Sequence, residues 1–102
     1  MIPLIEDNLA AIEALCKRYH VARLEAFGSA ANEIFDPQSS DLDFLVEFAS
    51  DAPMGPFRQY FDFLEDLKRL FGRDVDLVEA HAMRNRYFVK SVNATRKLVY
   101  AA

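Results

Sequence analysis

Three short runs rich in branched and aromatic residues, at positions 21–27, 42–48 and 75–78, alternate with segments of helical periodicity, and this interleaving is the strongest constraint on the fold. In the first run Arg23 and Glu25 alternate with Ala22, Leu24 and Ala26, the period-two pattern of a strand with one face buried and a polar face outside. Residues 57–71 bring Phe57, Tyr60, Phe61, Leu64, Leu67 and Phe71 to one side of a long helix, and Gly72 supplies its stop. Tyr60, Phe61, Phe63 and Phe71 read as core, with a contact surface as the alternative for Phe63, which falls off that stripe. Ahead of the first strand, Ile5, Leu9, Ile12, Cys16 and Tyr19 recur at steps of four and three, predicting one amphipathic helix over 3–19. Glu13 and Lys17 make an i,i+4 pair on its surface. A short helix is expected over 30–34, with turns at Asp36-Pro37 and Ser39-Ser40 and a loop over 49–56. After His81 the chain reads as helical to about residue 95, with a last short strand at 98–100. The order is that of an α/β or α+β domain, with a small sheet flanked by helices.

Length and charge narrow the function. A chain of 102 residues is expected to make a single domain over 1–102, large enough to bury one core without staples. Its 52% hydrophobic and 13% aromatic content excludes a disordered or fibrous chain. No apolar run reaches the ~18 residues of a membrane span, and the apolar start is too short for a signal peptide. The one cysteine, Cys16, lies on the apolar stripe and reads as a buried structural thiol, so the expected location is cytoplasmic. All 16 acidic residues lie at or before Glu79, whereas Arg84, Arg86, Lys90, Arg96 and Lys97 follow it with no acid among them. An acidic body argues against direct nucleic-acid binding, and the basic tail reads first as an ordinary solvated face, with an anion or an acidic partner as the alternative.

The chemistry concentrates in Phe27-Gly28-Ser29, an eleven-residue spacer, and Asp41-Leu42-Asp43. Side chains two apart on a strand share a face, so Asp41 and Asp43 project together while Leu42 turns into the core. Two carboxylates ~5 Å apart at an effective dielectric of 20 repel by about 3 kcal/mol, a cost that a divalent cation reverses. Oxygen ligands at a strand end suit Mg²⁺, which keeps waters and takes its other ligands from substrate phosphates. Glycine at a strand exit lets backbone approach a ligand closely, and a serine opening a helical turn offers hydroxyl and N–H groups to phosphate. Asp76, between Val75 and Leu77, brings a third carboxylate on a neighbouring strand; Asp74 shares its side and is the alternative. Such a set suits two-metal phosphoryl transfer. Gly-Ser or Asp-x-Asp alone is usually a turn or an exposed edge, but the joint pattern arises by chance in fewer than about 1% of chains this long.

The pattern Gly-Ser, spacer, Asp-x-Asp and a later strand Asp resembles the signature of the nucleotidyltransferase superfamily, in particular its stand-alone minimal members. The match covers residues 24–46 and 75–79. The resemblance implies a small mixed sheet of three to four strands with ATP and Mg²⁺ at its edge. Gly28 and Ser29 would contact the phosphates. Asp41, Asp43 and Asp76 would be the catalytic, metal-holding carboxylates, with Asp76 helping to deprotonate the acceptor hydroxyl. It further implies an antitoxin partnered with a HEPN-domain toxin, and transfer of AMP to that partner. The sequence departs from the family in two places. The spacer is one residue longer than usual, and Ala30, Ala31, Asn32 and Glu33 stand where relatives often carry basic residues. Arg23, Arg73 or the basic tail are the available substitutes.

Two functions of different class therefore compete: transfer of a nucleotide to a partner protein, or a binding module that neutralises a toxin by covering its active site. Retention of all three carboxylates favours the first, since a mere cover has no use for them. A nucleotide sensor is a remoter third. A homo-oligomer is compatible with either reading. His20 and His81 lack metal-ligand spacing, and Ser39 and Ser40 lack a base partner.

Overall fold

The computed structural model describes residues 2–31 and 41–102. The chain begins with helices α1 (Pro3–Glu6) and α2 (Leu9–Arg18), then strand β1 (Val21–Phe27) and a 3-10 turn, Gly28–Ala31. Strand β2 (Leu42–Phe48), helix α3 (Pro56–Phe71) and strand β3 (Val75–Glu79) follow, then a 3-10 turn (Ala80–Ala82), helix α4 (Arg86–Thr95) and strand β4 (Lys97–Ala101). The strands lie in the order β3-β2-β1-β4. β1 is antiparallel to both β2 and β4, whereas β2 and β3 are parallel, joined by α3 as the crossover. This is the α+β order that the sequence pattern predicts and the small mixed sheet that the family resemblance implies.

The sheet has two unequal cores, one on each face. On one face Leu24, Ala26, Leu42, Phe44, Val46 and Leu77 are buried against Ile5, Ile12, Cys16, Phe63 and Leu67 from the helices. On the other face a small cluster of Phe27, Leu45 and Val92 marks where α4 lies on the sheet, with Phe88 edge-on to Phe27 at 5.9 Å. Burial raises the Cys16 thiol to about 12, in keeping with an inert core residue.

Several local expectations are corrected. The helix over 3–19 breaks at Asp7–Asn8, where the Asn8 side-chain amide donates to the Leu4 carbonyl at 2.7 Å. That bond competes with the helical ladder, as Asn side chains commonly do. Leu9, expected on the buried stripe, is 40% exposed. In α3 the buried stripe is Gln59, Phe63, Leu67 and Phe71, so Phe63 is core, while Phe57 and Phe61 face solvent. The stripe begins with a polar residue because Gln59 Nε2 donates to the Tyr19 carbonyl at 2.7 Å, tying α3 to the end of α2. Phe63 then packs between Tyr19 and Phe48. The helix after His81 starts only at Arg86, where the Asn85 side chain accepts from the Tyr87 and Phe88 N–H groups. Residues 32–34 and both Asp36-Pro37 and Ser39-Ser40 lie outside the described residues.

Candidate active site

Strand register assembles the motif. Phe27 pairs with Asp43 across β1 and β2, and Asp43 pairs with Asp76 across β2 and β3, so one line across the sheet carries the Gly28 turn and both strand carboxylates. In-register neighbours share a face at ~4.8 Å spacing, which makes the two carboxylates direct neighbours. Asp41 stands one residue ahead of β2 and is exposed, as is Asp76. Asp74 precedes β3, and its carbonyl accepts from the Leu42 N–H at 3.3 Å. It therefore sits off the line that joins Asp43 and Asp76.

Gly28 closes over this line. Its φ of +62° is left-handed, and a Cβ there would meet Asp43 Oδ2 at 2.9 Å, closer than real Cβ contacts. Both facts demand glycine. The Gly28 N–H donates to Thr95 Oγ1 at 2.8 Å. Ser29 belongs to the same 3-10 turn, and its side chain lies outside what is described. Ala30 and Ala31 are fully buried in the main core, so two of the positions that are often basic in relatives are here packed with methyl groups.

The electrostatics follow from this crowding. Burial, with Asp76 and then Asp41 nearby, pushes the Asp43 carboxyl up to about 6. Among the described residues no three of His, Cys, Asp or Glu converge into a cage for a metal ion. The donor set nonetheless suits a hydrated hard cation. Asp43 lies within electrostatic reach of Asp76 and Asp41, and the last two open to solvent, as an ion that keeps several waters requires.

The sequence reading missed a second feature on the same face. Glu25, expected on an exposed side, is 3% exposed and accepts from Arg96 through Nε at 2.6 Å and Nη2 at 2.7 Å, and from Arg23 Nε at 2.7 Å. These contacts hold its carboxyl down to about 2. Arg23 and Arg96, both offered as substitute cations for a triphosphate, are thus engaged by Glu25, whereas Arg73 immediately precedes Asp74 at the carboxylate end of the sheet. The only sequence signal for the cluster was the pairing of a lone strand Glu with a tail Arg, which no spacing rule connects. His20 and His81 lie apart from the motif, beside Asp51 (3.5 Å) and Glu79 (3.3 Å).

Residues 10–99 match the model of the nucleotidyltransferase domain family. The chain belongs to that family. Two proteins of Methanocaldococcus jannaschii, each provisionally assigned as a protein adenylyltransferase, are similar to this nucleotidyltransferase. One is 39% identical over 86% of this chain and 87% of its own. The other is 32% identical over 74% and 73%. Among solved structures, one described provisionally as a minimal nucleotidyltransferase superposes with a TM-score of 0.73 at 25% identity, covering 90% of this chain and 89% of that one. A chain from the complex of a tri-AMPylated Shewanella oneidensis HEPN toxin with an MNT antitoxin gives a TM-score of 0.64 at 20% identity, covering 96% and 73%. That likeness speaks to the fold. No helix among the described residues of this nucleotidyltransferase is long and apolar enough to cross a membrane.

Proposed function

We propose that this nucleotidyltransferase transfers AMP from ATP to a hydroxyl of a protein partner, a HEPN-type toxin, and so acts as an antitoxin. The observation that carries the reading is the transect Gly28–Asp43–Asp76, which sets a glycine turn directly over paired carboxylates. Protein acceptors are supported by the provisional assignments of the relatives. A HEPN partner is supported by the AMPylated toxin complex and by a toxin–antitoxin structure with AMP-PNP, TM-score 0.66.

In this reading the turn of Gly28 and Ser29 receives the triphosphate, with the Gly28 N–H held by Thr95 rather than by phosphate, and Asp41, Asp43 and Asp76 would hold Mg²⁺. Bound there, Mg²⁺ supplies the charge that offsets both the carboxylates and the phosphates. The acceptor oxygen bonds to the α-phosphorus as the bond from that phosphorus to the β-bridging oxygen breaks, releasing pyrophosphate. The acceptor proton passes to Asp76, the strand carboxylate that is open to an incoming protein. Asp43, partly buried, suits a fixed ligand role alone.

A second reading, a cover without turnover, draws on the buried Ala30 and Ala31, which leave no cation at those places. Incubation with α-³²P-ATP and Mg²⁺ in source-organism lysate separates the two, with γ-labelled ATP and the Asp41→Ala/Asp43→Ala protein alongside. A protein band labelled only from the α position, and only with intact carboxylates, is the expected result. Absence of that band, with partner capture unaffected by the mutations, would establish the cover.

A further inference from the structure

The Gly28 turn is held from a distance in sequence. β4 stays paired with β1 only as far as Ala26–Lys97, because the chain before Lys97 turns away into α4. Two residues past Ala26, the Gly28 N–H donates to the hydroxyl of Thr95, the last residue of α4. The neighbouring Arg96 grips Glu25 of β1 through two nitrogens. Two successive residues at the α4–β4 junction thus clasp β1, one on each side of its final residues.

We infer that Thr95 is a positioning residue for nucleotide binding: its hydroxyl fixes the height of the Gly28 turn over Asp43. The inference rests on the nucleotidyl-transfer reading above. The argument is geometric. Gly28 backbone already lies so near Asp43 Oδ2 that a Cβ has no room, so small displacements of the turn change the gap between phosphate cradle and carboxylates. A left-handed glycine has shallow backbone preferences of its own and takes its position from what holds it. A hydroxyl serves here because it accepts the Gly28 N–H while the Thr95 backbone completes the last turn of α4. The contact is also an edge-of-fold contact, joining residues 67 apart, so it forms only when α4 is docked. Docking of α4 and assembly of the phosphate turn are therefore one event.

The turn meets phosphate in ground and transition states alike, so losing its anchor weakens binding uniformly and raises KM more than it lowers kcat. With purified protein, MgATP and the labelled acceptor, Thr95→Val should raise the apparent KM for ATP roughly five- to tenfold, the equivalent of one hydrogen bond, with kcat within about twofold. The Gly28 amide should also exchange with solvent faster in that variant. Thr95→Ser restores the hydroxyl without the methyl and should return both readouts to near wild type. Wild-type KM in Thr95→Val, or a Thr95→Ser protein that transfers normally in kcat yet keeps a raised KM, overturns the assignment while leaving nucleotidyl transfer intact. A wild-type protein that neither transfers nor shifts its melting temperature with MgATP overturns the functional reading, and the Thr95 assignment with it.

Discussion

Replacing Asp43 by Asn should make the metal-free protein more stable at neutral pH. Folding partly buries the Asp43 carboxyl and brings it within reach of Asp76 and Asp41, lifting it from 3.8 to about 6. The folded chain therefore keeps a proton between pH ~4 and ~6 that the unfolded chain has released, so stability falls as pH rises through that window and the full penalty persists above it. A rise of that size corresponds to ~3 kcal/mol for a fully screened-off group. Because Asp43 is only partly buried and water damps its repulsion, ~1–2 kcal/mol is the fair figure. For a chain of this length that converts to roughly 5–10 °C in Tm. Calorimetry or thermal CD in chelator, at pH 7.5 and pH 4, reads the effect directly. The expected result is a gain for Asp43→Asn at pH 7.5 that vanishes at pH 4. An equal gain at both pH values, or a loss at 7.5, would refute the electrostatic reasoning and make Asp43 a structural residue.

Millimolar Mg²⁺ should raise the wild-type Tm more at pH 7.5 than at pH 5, and should do little for Asp43→Asn; an unchanged wild-type Tm counts against the site. Glu25→Ala should cost ~1–3 kcal/mol in urea unfolding, since it removes the charged hydrogen bonds of Arg23 and Arg96 but leaves both partly exposed guanidinium groups to water. In wild type the same carboxylate stabilises above its unfolded value of 4.5 and loses that contribution as pH falls toward about 2, which acid titration of stability will show. Gly28→Ala should lose ~1–2 kcal/mol from its left-handed backbone and push Asp43 aside, removing transfer; retention of wild-type ATP turnover would contradict the close approach. Phe63→Ala should cost ~3–5 kcal/mol in chemical denaturation, whereas Phe57→Ala, at 73% exposure, should change the unfolding free energy by less than ~0.5 kcal/mol.

The strands were legible because their signal is local. Val21–Phe27 and Leu42–Phe48 are found at the expected bounds, and Val75–Glu79 extends the expected third strand by one residue. Helix faces were read less well. In α3 the aromatic residues point both ways, and the true stripe contains Gln59, whose burial depends on a carbonyl 40 positions away. Pattern counting scores residues one at a time and has no access to a partner that distant. The same reason hid Glu25 and Thr95, each satisfied by a group about 70 residues off. In the candidate site, the motif named Gly28 and the carboxylates, but only strand register set Asp76 beside Asp43 and left Asp74 ahead of the strand.

That register has a consequence for how relatives of this chain are best compared. Phe27 faces Asp43 whatever the number of residues linking them, since a slip of one position would turn Leu42 and Phe44 out to water and Asp43 into the core. The eleven-residue connection is thus a free variable, and the extra residue in it has no purchase on the alignment of glycine and carboxylate. Alignments that charge for the length of this insertion measure loop history. Homology in this fold is better judged by whether two aspartates share one rung of adjacent strands and a glycine follows directly on the strand end that completes that rung.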